Sequence, residues 1–388
     1  MLALLLARAD VDVVVLEKHA DFLRDFRGDT IHPSTLEVLD ELGLLDAFLR
    51  LPHQKVSRLN VQIGTETVAL GHFAALPTKC KFIAFIPQWD FLTFLAEQGQ
   101  RFPAFHLRMS TEVTGLIEDG GQVRGVCAST AGGPLEVRAE LVVGADGRDS
   151  VVRERAGLHV EDLGAPMDVL WFRLSHRPGD PEGITGRIDA GRVFVALDRT
   201  EHWQCGFVFA KGGIDEIHRR GLPAFRAEVA RLAPFTADRV DELRDWDQVK
   251  LLTVRVDRLR QWSRPGLLCI GDAAHAMSPI GGVGINLAIQ DAVAAANLLA
   301  APLRSGRIGP EHLRQVERRR TFPTRIIQRL QIVIQNRVIS RVLASRGTLR
   351  PPLLLRVLAK TPLLRTIPAW LVGIGPRPEH VRTPPATR

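Results

Sequence analysis

The start of the chain alternates apolar runs with short polar turns, a pattern that predicts a helix followed by a buried strand. Residues 1–9 are strong helix formers, and Asp10 follows them as a turn residue. Residues 11–16 form an almost unbroken β-branched run, which is typical of a parallel strand covered on both faces. The run ends at Glu17, where an acid at the strand tip of a βαβ unit accepts hydrogen bonds from a nucleotide ribose.

The first half of such a βαβ unit, a strand with the turn G-x-G-x-x-G, is absent from the sequence. We therefore expect that the chain lacks its first βα element and that Met1 corresponds to an internal methionine. A genuine start at Met1 stays open as the alternative.

Further along, Ser34-x-x-Glu37 predicts a capping box that opens a helix ending before Gly43. Residues 56–86 alternate as short strands do, and Gln88 starts a second helix that runs through residue 97. Strand patterns follow around 108–118, 125–129 and 135–139. The pair Gly120-Gly121 predicts a hairpin turn. The polar loop 27–33 contains Arg27, a candidate anion contact at the edge of a sheet.

The first candidate site is an apolar run, 141–143, that stops at the sequence Gly-Ala-Asp-Gly, residues 144–147, where a helix starts at once. Glycines let backbone N–H groups approach a polar ligand closely, and a helix start favours negative charge. Gly144, Asp146 and Gly147 are therefore candidate cofactor-binding residues, although tight packing alone also accounts for such a turn.

The second candidate site is longer and more specific. An apolar strand ends at Gly271-Asp272, where the carboxylate can accept a bond from a ligand hydroxyl group. Pro279 and the glycines Gly281, Gly282 and Gly284 let the main chain lie against a flat ring. A helix predicted over 283–299 points its positive N-terminus at that ring, which suits the negative charge of a reduced flavin.

In this order the segments resemble the flavoprotein aromatic hydroxylases, the para-hydroxybenzoate hydroxylase-like FAD-dependent monooxygenases. The specific parts are G-A-D-G-R-D-S-V-V-R at 144–153 and G-D-A-A-H-x-x-x-P-x-G-G-x-G-x-N at 271–286. The likeness runs from residue 1 to about residue 300. The missing G-x-G-x-x-G is the departure from the family pattern.

The resemblance implies a mixed α/β (α+β) fold. A Rossmann-like FAD/NAD(P)-binding domain would carry a smaller β-sheet substrate domain and a C-terminal helical segment. The expected bounds are 1–58, 88–156 and 250–300 for the FAD-binding domain, 59–87 and 157–249 for the substrate domain, and 301–388 for the basic C-terminal helical region.

The resemblance also implies roles for individual residues. Glu17 would contact the adenosine ribose, and Arg27 and Gln88 would line the FAD. Asp146 would lie in the segment that serves both FAD and NAD(P)H, and Asp272 would contact the ribityl chain. The residues expected to flank the isoalloxazine are Pro279, Gly281, Gly282, Gly284 and Asn286.

The activity that the resemblance implies is oxygenation of a small aromatic or polyketide-like substrate. NAD(P)H would reduce FAD, and O2 would add to the flavin as a C4a-hydroperoxide that delivers one oxygen atom. No catalytic side chain is assigned, and the scattered histidines predict no metal site. The chain has no tyrosine, which excludes a tyrosine relay for deprotonating a phenol.

Two alternatives remain open at this point. The first alternative to a monooxygenase is a truncated flavoprotein remnant or binding module without activity. The second is another flavin oxidoreductase, such as a halogenase. The absence of W-x-W-x-I-P counts against the halogenase. Six residues of the substrate domain line an aromatic pocket or simply form the core of a sheet: Trp171, Phe172, Phe194, Trp203, Phe207 and Phe209.

Charge is divided unevenly along the 388 residues, whose net charge is +8. Residues 301–388 hold 18 Lys and Arg against 3 Asp and Glu, whereas residues 1–300 hold 33 against 40. A basic amphipathic helix can lie on an anionic membrane as a peripheral contact, bind an acidic partner, or pack on the acidic body. No recognition motif supports nucleic-acid binding. Four cysteines without C-x-x-C favour the cytoplasm, and the oligomeric state stays open.

Overall fold

The computed structural model describes residues 1–23, 30–181, 183–199, 201–347, 349–352, 355–356, 361 and 364–385. The helices are α1 (Leu2–Arg8), α2 (Pro33–Glu41), α3 (Leu45–Phe48), α4 (Gln88–Gly99), α5 (Val151–Arg155), α6 (Ile214–Arg220), α7 (Leu222–Leu232), α8 (Gly284–Arg304), α9 (Pro310–Ile334), α10 (Ser340–Ala344) and α11 (Thr366–Gly373). The strands are β1 (Val13–Leu16), β2 (Thr30–Ile31), β3 (Gln54–Val56), β4 (Arg58–Ile63), β5 (Glu66–His72), β6 (Ile83–Phe85), β7 (Phe105–Arg108), β8 (Glu112–Asp119), β9 (Gln122–Thr130), β10 (Gly133–Arg138), β11 (Val142–Gly144), β12 (Val160–Asp162), β13 (Met167–Ser175), β14 (Ile184–Asp189), β15 (Arg192–Asp198), β16 (His202–Ala210), β17 (Lys250–Leu252), β18 (Asp257–Leu259), β19 (Ser263–Arg264) and β20 (Leu267–Cys269). The mixed α/β fold class predicted from the sequence is confirmed.

Two short parallel pairings organise the first part of the fold. Strand β1 pairs with β7, and β11 pairs with β20, which also takes β19 as an antiparallel neighbour. The prediction that β1 is covered on both faces is wrong, because Val14 on one face exposes 42% of its surface. The helix predicted over residues 1–9 is confirmed as α1, and its Leu5 is fully buried.

Helix α2 starts differently from the prediction. The capping box from Ser34 to Glu37 is wrong, because His32 is the N-cap and makes no side-chain cap bond, so Ser34 lies inside the first turn. Pro33 takes the first helical position, where its missing N–H and fixed φ suit a helix start. The hairpin at Gly120-Gly121 is confirmed, since both residues have positive φ, 55° and 76°, between β8 and β9.

A seven-stranded sheet, the large sheet, contains β17, β13, β16, β15, β14, β4 and β5 in that order. Its outer face packs against α7 and buries five of the six aromatic residues named above: Phe172, Phe194, Trp203, Phe207 and Phe209. For these five residues the sheet-core alternative holds. Trp171 lies on the opposite face with Val169 and Val208, and we call this the inner face.

The basic C-terminal region packs on the rest of the fold rather than extending from it. Helix α9 runs along α8 and buries Leu313 and Val316, and its last turn continues through a π-helical segment, Gln335–Ile339, into α10. Ile339 then covers the inner face of the large sheet. Among the described residues, one helical stretch, 280–304, is long and apolar enough to cross a membrane, but 72% of its most apolar window is buried inside the protein.

Candidate active site

The two glycine motifs meet at one edge of the parallel sheet, because β11 and β20 are neighbours with Gly144 opposite Cys269. Two arginines from the first motif contact the second motif. Arg148 Nε lies 3.2 Å from Asp272 Oδ2, and Arg153 donates from Nη1 to the carbonyl oxygen of Ala273 at 3.2 Å. The sequence motifs are therefore one structural site, held together by cations that the sequence analysis did not single out.

Close packing explains why glycine occupies two of these positions. A Cβ on Gly144 would lie 2.9 Å from Cγ1 of Val152 and 3.1 Å from the sulfur of Cys269. Gly271 has φ +59°, and a Cβ there would meet the Cβ of Ala288 at 3.0 Å. These glycines let strand ends, the start of α5 and helix α8 approach each other closely.

Asp146 uses its carboxylate to order the start of α5. Oδ1 accepts a hydrogen bond of 2.5 Å from the Ser150 hydroxyl group, and Oδ2 accepts one of 3.1 Å from the backbone N–H of Val152. Gly147 follows with φ +86°, which a side chain rarely adopts. The sequence analysis did not predict that Asp146 orders the start of α5. The available signal was Ser150, which is a typical N-cap residue before a helix. Its cofactor contact stays a prediction.

Residues 278–284, called the flavin loop below, are folded against the loop that precedes α2. Gly281 and Gly282 have φ of 81° and 62°, and a Cβ on Gly282 would lie only 2.6 Å from Oγ1 of Thr30. The Thr30 hydroxyl group donates to the carbonyl oxygen of Gly282 at 2.9 Å. Pro279 precedes the turn 280–282, and Gly284 is the first residue of α8.

Asn286 ties these two loops together from inside α8. Its Oδ1 accepts from the backbone N–H of His32 at 2.9 Å and from the Thr35 hydroxyl group at 2.8 Å. Its Nδ2 donates to the carbonyl oxygens of Thr30 and Gly282, at 3.0 and 3.4 Å. The side chain is 5% exposed, so Asn286 acts on the site by fixing both loops.

Glutamines of the C-terminal region hold the flavin loop from its other side. Gln331 accepts from the N–H of Ser278 and donates to the carbonyl oxygens of Ser278 and Ile280, at 3.2, 3.0 and 2.9 Å. Gln335, four residues later in the π-helical segment, donates to the Ser278 hydroxyl group at 2.8 Å. The four-residue spacing places Gln331 and Gln335 on one face of a helix. In the sequence, however, a buried polar face of this kind looks the same as a solvent-exposed polar face.

A buried ionic network supports the second motif. Asp291 accepts from the N–H of Gly271 at 3.1 Å and lies 2.6 Å from Nε2 of His275. Arg320 of α9 donates to the same carboxylate at 2.8 Å and also contacts Glu379. Burial alone would raise the pKa of the Asp291 carboxyl, but His275 and Arg320 outweigh it and hold that pKa below its usual range.

The remaining predicted residues lie farther along the edge. Glu17 follows β1 and accepts a hydrogen bond of 3.0 Å from the N–H of His19. Gln88 is the first residue of α4 and is partly buried. Arg27 lies outside the described residues. Contacts of Glu17 and Gln88 with a cofactor stay predictions.

Comparison with known proteins identifies the family to which the chain belongs. The profile of a family described as FAD binding domain matches residues 1–330. A 6-methylpretetramide 4-monooxygenase from Streptomyces rimosus is 34% identical over 94% of this chain and 87% of its own length. The chain belongs to the family of FAD-dependent monooxygenases. A para-nitrophenol 4-monooxygenase from Pseudomonas sp. strain WBC-3 is 25% identical to this family member over 78% of the chain and 75% of its own length.

Solved structures share the fold of this monooxygenase. The p-nitrophenol 4-monooxygenase from Pseudomonas putida DLL-E4 superposes with a TM-score of 0.74 at 21% identity, covering 95% of this chain and 93% of that one. An anhydrotetracycline hydroxylase from Streptomyces rimosus gives 0.73 at 24% identity, covering 96% and 72%. The family profile and the 34% identical relative show that FAD is the cofactor, and they confirm the resemblance stated from the sequence.

The residues at the junction of the two motifs fit an oxygen-rich anionic cofactor. Nη1 of Arg148 is buried and has no hydrogen-bond partner in the part of the chain that the structure describes. A buried guanidinium N–H without an acceptor is costly, and phosphate or hydroxyl oxygens are its natural acceptors. Asp272, with 34% of its side chain exposed beside that arginine, offers an acceptor for hydroxyl groups.

Proposed function

We propose that this monooxygenase inserts one oxygen atom into a fused-ring aromatic molecule of polyketide type, using O2 and NAD(P)H. The observation that carries the proposal is the packing of Ile280, in the flavin loop, against the apolar cluster of the inner face formed by Val169 and Val208. An apolar face beside a flavin suits planar aromatic rings and keeps water from the reacting atoms. The likeness to 6-methylpretetramide 4-monooxygenase supports the choice of substrate class.

In this proposal the chain's own residues bind the cofactor and orient the substrate. Asp272 and Arg148 would hold the cofactor's polar chain, while the turn Gly281–Gly282 and the positive end of α8 would lie by its ring. When bound, FAD carries electrons from a nicotinamide donor to O2. Asn286 and Gln331 keep the flavin loop in one position, so the substrate meets a rigid surface.

We place the reaction in the cytoplasm, since Cys80, Cys205 and Cys269 are buried and unpaired, as is usual where thiols stay reduced. Membrane contact is not part of the proposal. Leu313 and Val316 of α9 pack against the body of the protein.

The test is turnover by the purified chain supplied with FAD. We expect flavin absorbance that stays with the protein through gel filtration, and oxidation of NADH or NADPH that rises when 6-methylpretetramide is added. The product should be heavier by one oxygen atom, and labelled O2 should supply it. A chain that stays colourless after reconstitution contradicts FAD use by this form. Tight flavin binding with no oxygenated product contradicts the monooxygenase proposal for this substrate class.

A further inference from the structure

Trp171 is set apart from the other aromatic residues of the large sheet. Phe172 and Trp203 point into the core beneath α7, whereas Trp171 stands on the inner face. Trp171 and Ile280 both pack against the apolar cluster that contains Val169, so the indole and the flavin loop share that cluster. Trp171 therefore lies on the side of the sheet where we place the substrate.

The orientation of the indole depends on the glycine at position 206, which has no side chain. Trp171 on β13 is opposite Gly206 on β16, and Gly206 is opposite Val195 on β15. A Cβ on Gly206 would lie 3.0 Å from Cη2 and Cζ3 of Trp171 and 2.9 Å from Cγ1 of Val195. The ring thus rests directly on the glycine, and any side chain at position 206 would displace it.

The indole N–H of Trp171 is buried and has no hydrogen-bond partner among the described residues. The other buried tryptophan of this sheet behaves differently, because Trp203 donates to Oδ2 of Asp180 at 2.8 Å. Leaving a buried donor without an acceptor costs about 1–3 kcal/mol, so such a group needs a physical reason. A ligand that brings an oxygen acceptor to the inner face supplies one.

We propose that the Trp171 indole N–H donates a hydrogen bond to a carbonyl or phenolic oxygen of the aromatic substrate and so sets which ring faces the flavin loop. The inference rests on the proposed function. A neutral donor in apolar surroundings orients an oxygenated ring without the desolvation cost of a charge. Such a donor also selects against rings that lack the oxygen, because it would then stay unpaired.

The experiment measures binding of 6-methylpretetramide to the FAD-supplemented chain and to Trp171→Phe by titration calorimetry. Phenylalanine keeps an aromatic ring and removes the N–H, and we expect affinity to fall about tenfold. Trp203→Phe is the matched control, since it removes the same group from the outer face. Its affinity for the probe should equal that of the original chain, although its stability should fall.

A second pair of measurements separates hydrogen bonding from shape. Trp171→Phe should weaken binding of 1-naphthol but leave binding of naphthalene unchanged, whereas a residue that only fills space would affect both equally. Gly206→Ala keeps the N–H but pushes the ring from its seat, so it should weaken 1-naphthol binding as well.

Equal affinity of Trp171→Phe and the original chain for 6-methylpretetramide overturns the inference and leaves the proposed function standing. Equal losses for 1-naphthol and naphthalene also overturn it. If the original chain binds neither 6-methylpretetramide nor 1-naphthol, the proposed substrate class fails, and the assignment of Trp171 fails with it.

Discussion

Nε of Arg320 lies 2.8 Å from Oδ1 of Asp291, and the two side chains are 1% and 0% exposed. The arginine comes from the strongly basic C-terminal region and the aspartate from the helix that follows the flavin loop. Asp291 in turn accepts the backbone N–H of Gly271 at 3.1 Å. The pair therefore joins the C-terminal region to the turn that precedes Asp272, one of the candidate cofactor residues.

Replacing Asp291 with asparagine should destabilise the protein by roughly 3–5 kcal/mol, because it leaves the buried guanidinium of Arg320 without its nearest carboxylate. Urea unfolding followed by circular dichroism measures this change. Glu311→Gln is the control, since it removes solvent-exposed ion pairs with Arg314 and Arg318 on the same helix and should change stability little. Similar losses in both variants would contradict the importance of the buried pair.

Asp272→Ala should weaken retention of FAD by at least about tenfold while the fold persists, because it removes a polar contact and no core packing. The ratio of flavin to protein after gel filtration, with far-ultraviolet circular dichroism, gives both results. Asp149→Ala is a suitable control. That carboxylate lies in the first motif but is 86% exposed, and among the described residues it pairs with Arg255. Unchanged flavin occupancy in Asp272→Ala would remove Asp272 from the site.

Gln331→Leu should lower stability by roughly 3 kcal/mol, since it leaves one N–H and two carbonyl groups of the flavin loop without partners. We also expect the absorption spectrum of bound FAD to change, because the loop that we propose lies beside the ring would lose its fixed position. Gln315→Leu is the control on the exposed side of the same helix. A spectrum identical to that of the original protein would show that Gln331 does not position the loop.

His32 should make the protein less stable as the pH falls. Burial lowers the pKa of His32 to about 4, only partly offset by its hydrogen bond to the carbonyl oxygen of Val372. In the unfolded chain the pKa of His32 is about 6.5. Below that pH, His32 therefore binds a proton in the unfolded state but stays neutral in the folded state. Its contribution is fully present above pH 6.5 and is lost as the pH falls through 4.

The measurable quantity is the difference in unfolding free energy between the original chain and His32→Gln. Between pH 7 and pH 5 this difference should shift by about 2 kcal/mol against the original chain. Chemical unfolding at several pH values checks it. A difference that does not vary with pH would mean that His32 titrates normally in the folded protein.

Local signals predicted much of the fold. The start of the helix at Gln88 and the hairpin turn at Gly120-Gly121 agree with the sequence expectation, because a proline precedes the helix and a glycine pair marks the turn. The start of α2 was misplaced, since the N–H of His32 is satisfied by Asn286, more than 250 residues away. A capping partner so distant in sequence leaves no local pattern.

In the candidate site, too, residues with a local sequence signal were predicted and residues held by distant partners were not. The glycines and Asp272 were found because tight turns at strand ends require particular residue types in a short window. Gln331 and Arg320 were missed as site residues because each reaches the motifs from α9, and charged or amide side chains on helices usually face water. Arg148 lies inside the first motif, but its partner Asp272 belongs to the second motif, 124 residues away, so no local pattern indicates their pairing.

The glutamine contacts also bear on how relatives of this enzyme are recombined. The family profile ends at residue 330, yet Gln331 and Gln335, which hold Ser278, come immediately after it. A chimera joined at that border would pair the flavin loop of one parent with the helix of another. Exchange between relatives should therefore succeed more often when the crossover lies beyond residue 344, where α10 ends.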